Sequence, residues 1–179
     1  MLLELPTIQL EKTELFQIVD LKSCGAGIIP FDSKNQKLLM GLQSSDKNQF
    51  LWSDFGGKTE FGENTWKTAC RENKEESLNL QNLQKNMKDI VKIYRIIHYI
   101  KFRRKRIVYL KLYTIYILDG FNYDNTVVKE FEKKRSESKH YINKEKLTVC
   151  WMDIYSISNY KVLGFRCRDV IHLIINAIF

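Results

Sequence analysis

The chain is poor in the residues that divide or tether a protein. It has two prolines and eight glycines in 179 residues, with no Pro- or Gly-rich stretch to act as a linker. It also has no internal repeat, so a single domain over residues 1–179 is expected. No apolar run approaches the ~18 residues that a membrane span needs. The opening segment, MLLELPTIQLEKTEL, carries Glu4 and no basic cluster, unlike a secretory signal. A cytoplasmic protein with no membrane partner is the expectation. The four cysteines, Cys24, Cys70, Cys150 and Cys167, make no CxxC pair. They read as reduced, mostly buried thiols rather than a zinc site or a disulfide framework. His98, His140 and His172 have no HExxH spacing, and His172, in an apolar helical stretch, reads as a core residue.

What is present is an ordinary globular balance, 44% hydrophobic and 28% charged, long enough to bury a sizeable core. The net charge of +8 favours an anionic partner such as a nucleotide, a polyphosphate or nucleic acid. Lys101, Arg103, Arg104, Lys105 and Arg106 concentrate that charge. Two readings of this cluster stand open, a solvated hairpin tip and a phosphate-binding patch.

The pattern of apolar runs and turn residues predicts an α+β domain. Residues 1–20 form an N-terminal extension readable as a short helix, an added strand, or both. A strand begins at Ala26, turns at Asp32-Ser33-Lys34-Asn35 and returns as KLLMGLQ. A polar loop, Ser44–Asn48, precedes a short strand at Phe50-Leu51-Trp52 that leads into Asp54-Phe55-Gly56-Gly57. Thr65 is the expected N-cap of a helix ending near Leu78, with Trp66, Ala69 and Cys70 on its core side. After a polar connection over 79–88, strands are expected at Ile90–Phe102 and Ile107–Leu118, with the basic cluster at the tip between them. A helix over Val127–Lys139 would be supported by a Glu130–Lys134 pair. A strand at Leu147–Ile154 and a helix at Phe165–Ala177 complete the order.

The most informative stretch is GKTEFGENTWKTACRENKEE, residues 57–76. On a helix, Glu72, Glu75 and Glu76 fall within an arc of about 100°. Like charges three and four apart destabilise a bare helix by a few tenths of a kcal/mol per pair, roughly. A positive partner is therefore expected among them. A hard divalent cation, bound by carboxylates, water and substrate phosphates, answers that need.

These residues resemble the Nudix box, G-x5-E-x7-R-E-U-x-E-E-x-G-U, where U is bulky and apolar. Gly57, Glu63, Arg71, Glu72, Glu75 and Glu76 match in place. Asn73 stands where an apolar residue is usual, Leu78 where the second glycine is usual, and Asn79 where the last apolar residue is usual. Asn79 tolerates the left-handed backbone a helix end wants, and Asn73 should be hydrogen-bonded or partly exposed.

The resemblance implies a Nudix-like α/β/α sandwich with a mixed β-sheet between helices, which periodicity alone does not select. It implies a Mg²⁺- or Mn²⁺-dependent hydrolase that cuts a phosphoanhydride bond in a nucleoside diphosphate-linked substrate. The implied metal ligands are Glu72, Glu75, Glu76 and the Gly57 carbonyl. Arg71 would orient a carboxylate, and Glu63 would bind metal through water or assist proton transfer. For the general base, Glu75 and Glu145 both stand open. Trp52 and Phe55 are candidates for stacking on a base, with core packing as the alternative for each. Arg103 and Arg104 are candidates for a distal phosphate or an RNA backbone. Messenger RNA decapping and diphosphoinositol polyphosphate hydrolysis remain alternatives of the same chemistry. From another class, a non-catalytic module holding RNA or another polyanion is a third reading. A homodimer through the long hairpin is a further expectation.

Overall fold

Apolar side chains alternate along the central strands and both faces are covered, so both faces of the sheet are core. The computed structural model describes residues 8–10, 23–44, 49–80, 92–104, 107–122, 124–138, 145–158, 163–164, 167 and 175–176, with only the strand path over 97–104 and 107–111. In chain order the strands are β1 (Ile8–Leu10), β2 (Ser23–Asp32), β3 (Lys37–Ser44), β4 (Phe50–Ser53) and β5 (Phe55–Lys58). Helix α1 (Thr65–Glu76) precedes β6 (Lys92–Arg104) and β7 (Ile107–Asp119), and α2 (Val127–Glu137) precedes β8 (Lys146–Asp153).

The eight strands form one mixed sheet, in which β2 and β7 run parallel and the other pairs are antiparallel. β4 and β5 act as one strand interrupted at Asp54. Before the break it pairs with β3, Gly41 opposite Ser53, and after it with β2, Gly25 opposite Lys58. That crossing wedges β2 and β3 apart and sets Gly56 and Gly57 of β5 beside the start of β2.

On one face, Ala26 and Ile28 of β2 and Tyr116 and Leu118 of β7 pack with Ala69, Trp66 and Cys70 of α1. Beside them, Leu39, Phe55, Val149 and Trp151 receive Phe131 of α2. On the opposite face, Ile29, Phe31, Leu38, Met40, Ile115 and Ile117 pack with Leu163, Cys167 and Ile175. Each fully buried Ile, Leu or Phe contributes roughly 1.5–3 kcal/mol, so the sheet is held from both sides. This is the expected sandwich.

The element order follows the sequence reading, with shifts at the ends. Residues Ile8–Leu10 add a strand to the edge of β6, and the rest of the N-terminal extension lies outside the described residues. β2 starts at Ser23, three residues earlier than expected, and β8 starts at Lys146. The Glu130–Lys134 ion pair forms, at 3.0 Å. The connection over 79–88 is described only to Leu80, and of the helix expected over Phe165–Ala177 only residues 167, 175 and 176 are described, all helical. Among the described residues no helix is long and apolar enough to cross a membrane. All four cysteines are free, and burial pushes the Cys70 thiol up to about 12.

Candidate active site

Helix α1 is started by Asn64, not by Thr65. The Asn64 side chain accepts from Lys67 N at 2.8 Å, capping one of the orphan amides of the first turn. Thr65 is the first helical residue, and its buried hydroxyl shares a 2.7 Å hydrogen bond with the Tyr116 hydroxyl. The helix stops at Glu76. Leu78 and Asn79 then take positive φ, 55° and 54°, so the left-handed ending that a glycine would supply is made by two side-chain-bearing residues. Leu78 is part-buried against the Phe55–Phe131 cluster, and that packing offsets its backbone strain.

Arg71 is the hub of the motif. Its Nε and Nη2 donate to the two oxygens of Glu63 at 2.8 and 3.0 Å, a bidentate pair. Nη1 donates to Glu72 at 2.8 Å and to Glu75 at 3.4 Å, and Nη2 also reaches the Lys58 carbonyl at 2.9 Å. Glu63 is used up further by Thr68 Oγ1 at 3.0 Å and by the Glu60 amide at 3.1 Å. Hydrogen bonding from Arg71, above all, holds the Glu63 carboxyl well below the usual carboxylate range, at about 2. These contacts give Glu63 the work of fixing the loop before α1 and aiming Arg71.

Glu72 lies flat on the Gly57 backbone. A Cβ at Gly57 would stand 2.3 Å from Glu72 Oε1, so any other residue there would push the Glu72 carboxylate aside. Burial, above all, raises the Glu72 pKa, and the negative charges of Glu75 and Glu145 add to the rise against the lowering by Arg71. Glu145, exposed at the start of β8, is thus near enough to Glu72 for its charge to be felt. Glu75, with about a third of its side chain exposed, is open to water.

Glu76 is placed differently. Its Oε2 accepts from Gly56 N at 2.6 Å and pairs with Lys146 Nζ at 3.2 Å, below the protein surface. Lys146 was not foreseen as a site residue. It follows Glu145 in a lysine-rich stretch that reads as solvated, and the one signal in its favour was Gly41, a glycine inside a strand, which often marks a close approach.

The carboxylates of Glu72, against Gly57 of β5, and of Glu75 are donors of the kind a hard divalent ion takes. Glu72 and Glu75 are drawn to Arg71 rather than to a common centre, and among the described residues no three His, Cys, Asp or Glu side chains converge on one point. Each of Glu72 and Glu76 has a cation of its own, Arg71 at 2.8 Å and Lys146 at 3.2 Å.

Four candidates for substrate contact lie elsewhere. Phe55 has no exposed surface and fills the core against Leu39 and Phe131, which overturns its stacking role, since no ring face is open. Trp52 is part-buried and packs into the cluster on the sheet face opposite α1. Arg103 and Arg104 pair with Val108 and Ile107 at the hairpin end. They lie five and six rows beyond Tyr113, which shares a row with Gly25 and Lys58, so roughly 17–20 Å along the strands separates them from the motif. Lys105 and Arg106 lie outside the described residues.

Asn73 is also not as expected. It is buried, and neither amide atom has a hydrogen-bond partner among the described residues. Such a group costs roughly 1–3 kcal/mol.

No protein-family model and no curated protein matches the chain. Solved structures do. The NUDIX domain of Shewanella oneidensis NrtR, in complex with ADP ribose, superposes with a TM-score of 0.56 at 14% identity, over 95% of this chain and 100% of that one. A NUDIX hydrolase from Nitrosomonas europaea gives 0.53 at 11% identity, over 88% and 90%. The dihydroneopterin triphosphate pyrophosphohydrolase of E. coli gives 0.54 at 17% identity, over 83% and 92%. At these identities the likeness is one of fold, and the motif is read from the residues themselves. Together they show that the chain has the fold of the Nudix hydrolases.

Proposed function

We propose that the protein is a Mg²⁺- or Mn²⁺-dependent pyrophosphohydrolase that cleaves a phosphoanhydride bond in a nucleoside diphosphate-linked substrate. The observation that carries this reading is the Arg71 hub, which holds Glu72 and Glu75 on one guanidinium nitrogen, Glu72 lying against the Gly57 backbone, while Glu63 takes the rest of the guanidinium. A merely structural helix gains nothing from gathering carboxylates in this way. ADP ribose, bound by one relative, and dihydroneopterin triphosphate, in the name of another, both contain phosphoanhydride bonds, which supports the substrate class.

The chemical problem is a polyanion that repels its nucleophile. A divalent ion bound by Glu72 and Glu75 would neutralise phosphate oxygens and lower the pKa of a water. Arg71 keeps Glu72 oriented. Glu75, about a third exposed, would take the proton of the attacking water, and Glu145, whose charge is felt at Glu72, is the second candidate for that role. The Gly57 backbone, bare of any side chain, lets a phosphate approach the carboxylates closely.

The test is release of phosphorylated products from a panel of NTPs, dinucleoside polyphosphates, nucleotide sugars, ADP ribose, capped RNA and diphosphoinositol phosphates, with and without Mg²⁺ or Mn²⁺. Metal-dependent cleavage of one class, lost in Glu75→Gln, is the expected result. No cleavage, with polyanion binding unchanged by that substitution, would replace the enzyme with a binding module.

A further inference from the structure

One hairpin holds the whole of the chain's net charge. Residues 92–118 carry eight Lys and Arg and no Asp or Glu, and the other 21 Lys and Arg are matched by 21 Asp and Glu. The hairpin has two parts. Up to the row of Tyr99 and Leu112 it belongs to the sheet, with β1 beside β6 at Ile93–Arg95 and β2 beside β7 from Leu112 to Asp119. Beyond that row β6 and β7 continue alone for five rows, from Ile100 opposite Lys111 to Arg104 opposite Ile107. At about 3.4 Å per residue this two-stranded arm extends roughly 17 Å past the first paired residue of β2. Among the described residues no strand lies beside either of its edges.

Such a ribbon is marginal by itself in water, and this one concentrates like charge. Lys101, Arg103, Arg104 and Lys111 all lie within its five rows. Residues opposite each other share a face, and so do residues two apart on one strand. Phe102 and Tyr109 form one row. The neighbouring rows on their face carry Lys111 before them and Arg104 after them, while Lys101 and Arg103 fall on the reverse face. An aromatic row is thus flanked by cations, with more cations behind it and no acid among them.

This charge favours an anionic partner, and the pattern chooses among anions. A bilayer surface suits an element with one apolar and one charged face, and here both faces carry cations. A second copy of the arm would set like charges against each other. An acidic peptide has no use for the aromatic row. Single-stranded nucleic acid uses both features, its phosphates against cations and its bases stacked on rings. We infer that the β6–β7 arm is a docking site for single-stranded nucleic acid. The Phe102–Tyr109 row is its stacking platform, and Lys101, Arg103, Arg104 and Lys111 are its phosphate contacts. The arm stands apart from the Gly57–Glu76 motif, and the inference does not depend on the proposed hydrolysis.

Fluorescence anisotropy of a labelled single-stranded RNA of mixed sequence, in EDTA so that nothing is cleaved, tests it. Wild-type affinity should fall with salt, log K against log salt having a slope of about −2 to −3 for three or four phosphates. Arg103→Gln/Arg104→Gln should weaken binding about tenfold and make that slope shallower by about 1.4. Phe102→Ala/Tyr109→Ala should weaken it about tenfold with the slope unchanged. Should that variant lose its fold, Phe102→Leu/Tyr109→Leu keeps the apolar bulk without the rings and reads the same term. Lys129→Gln/Lys133→Gln, at exposed positions of α2, removes equal charge elsewhere and should change affinity by less than about twofold.

No binding by the wild type would overturn the inference. An equal loss in the α2 variant would also overturn it, because affinity would then follow net charge alone. Duplex RNA or polyglutamate bound as tightly as the single strand, with no loss on removing the rings, would overturn it in favour of a general polyanion surface.

Discussion

Two cationic centres sit along the same helix and treat their glutamates in opposite ways. Arg71, about a quarter exposed, fans out over Glu63, Glu72 and Glu75. Lys146, fully buried, closes on Glu76 with every proton assigned. At the first centre carboxylates outnumber the cation, and the excess negative charge at the surface invites a further cation. At the second, one carboxylate and one ammonium face each other below the surface. The same residue type thus serves chemistry at one end of the motif and architecture at the other, and the surroundings decide which.

The largest effect should come from removing charge at the open centre. Glu75→Gln is expected to lower turnover by about 10²–10⁴-fold with little change in Tm, measured as product release beside a melt. Should Tm collapse as well, the open centre would be structural, and the contrast with Lys146 would vanish.

Next is Arg71→Ala, which leaves three carboxylates facing one another. A loss of roughly 1–3 kcal/mol is expected from denaturant unfolding, between the values for exposed and buried pairs. Activity should also fall, by about 10–100-fold, through misplaced ligands. Arg71→Lys should recover stability better than activity, because a lysine cannot hold Glu63 with two parallel bonds.

Asn73→Leu sharpens the comparison from a neutral direction. Removing a buried, unsatisfied amide in favour of a side chain of similar shape should stabilise the protein by about 1 kcal/mol, read as a higher unfolding midpoint. A decrease would mean that the amide has a partner in the folded protein.

The smallest effect concerns acid. Glu63 has its folded pKa depressed to about 2, below the value of about 4.3 for an unfolded chain. Its contribution is therefore present above the unfolded pKa and is lost as pH falls from about 4.5 through about 2. Glu63→Gln should flatten the decline of stability across that window in denaturant melts. A slope unchanged by the substitution would contradict the Arg71–Glu63 pairing.

Much of this was legible in the residues. Helical spacing put Glu72, Glu75 and Glu76 on one arc, and the resemblance to the Nudix box added Gly57, Glu63 and Arg71; Arg71 does meet Glu63, Glu72 and Glu75. The strands of β2, β3, β6 and β7 followed from long apolar runs ended by turn residues. What stayed hidden depends on contacts between distant segments. Lys146 meets Glu76 only because β8 lies beside β3, and nothing within NKEKL separates a buried lysine from its solvated neighbours. Phe55 looked equally suited to a cleft or a core until β5 was seen to cross between β2 and β3. Thr65 is a good cap by residue type, yet Asn64 takes that place, while the Thr65 hydroxyl bonds to Tyr116, more than 50 residues away.

The measurement that tests the account most directly is the rate of phosphoanhydride cleavage as a function of Mg²⁺ concentration, in wild type and Glu75→Gln together. The account predicts cleavage that requires Mg²⁺ in the wild type and near-complete loss in Glu75→Gln at every Mg²⁺ concentration. Cleavage that ignores Mg²⁺, or that survives in Glu75→Gln, would contradict it.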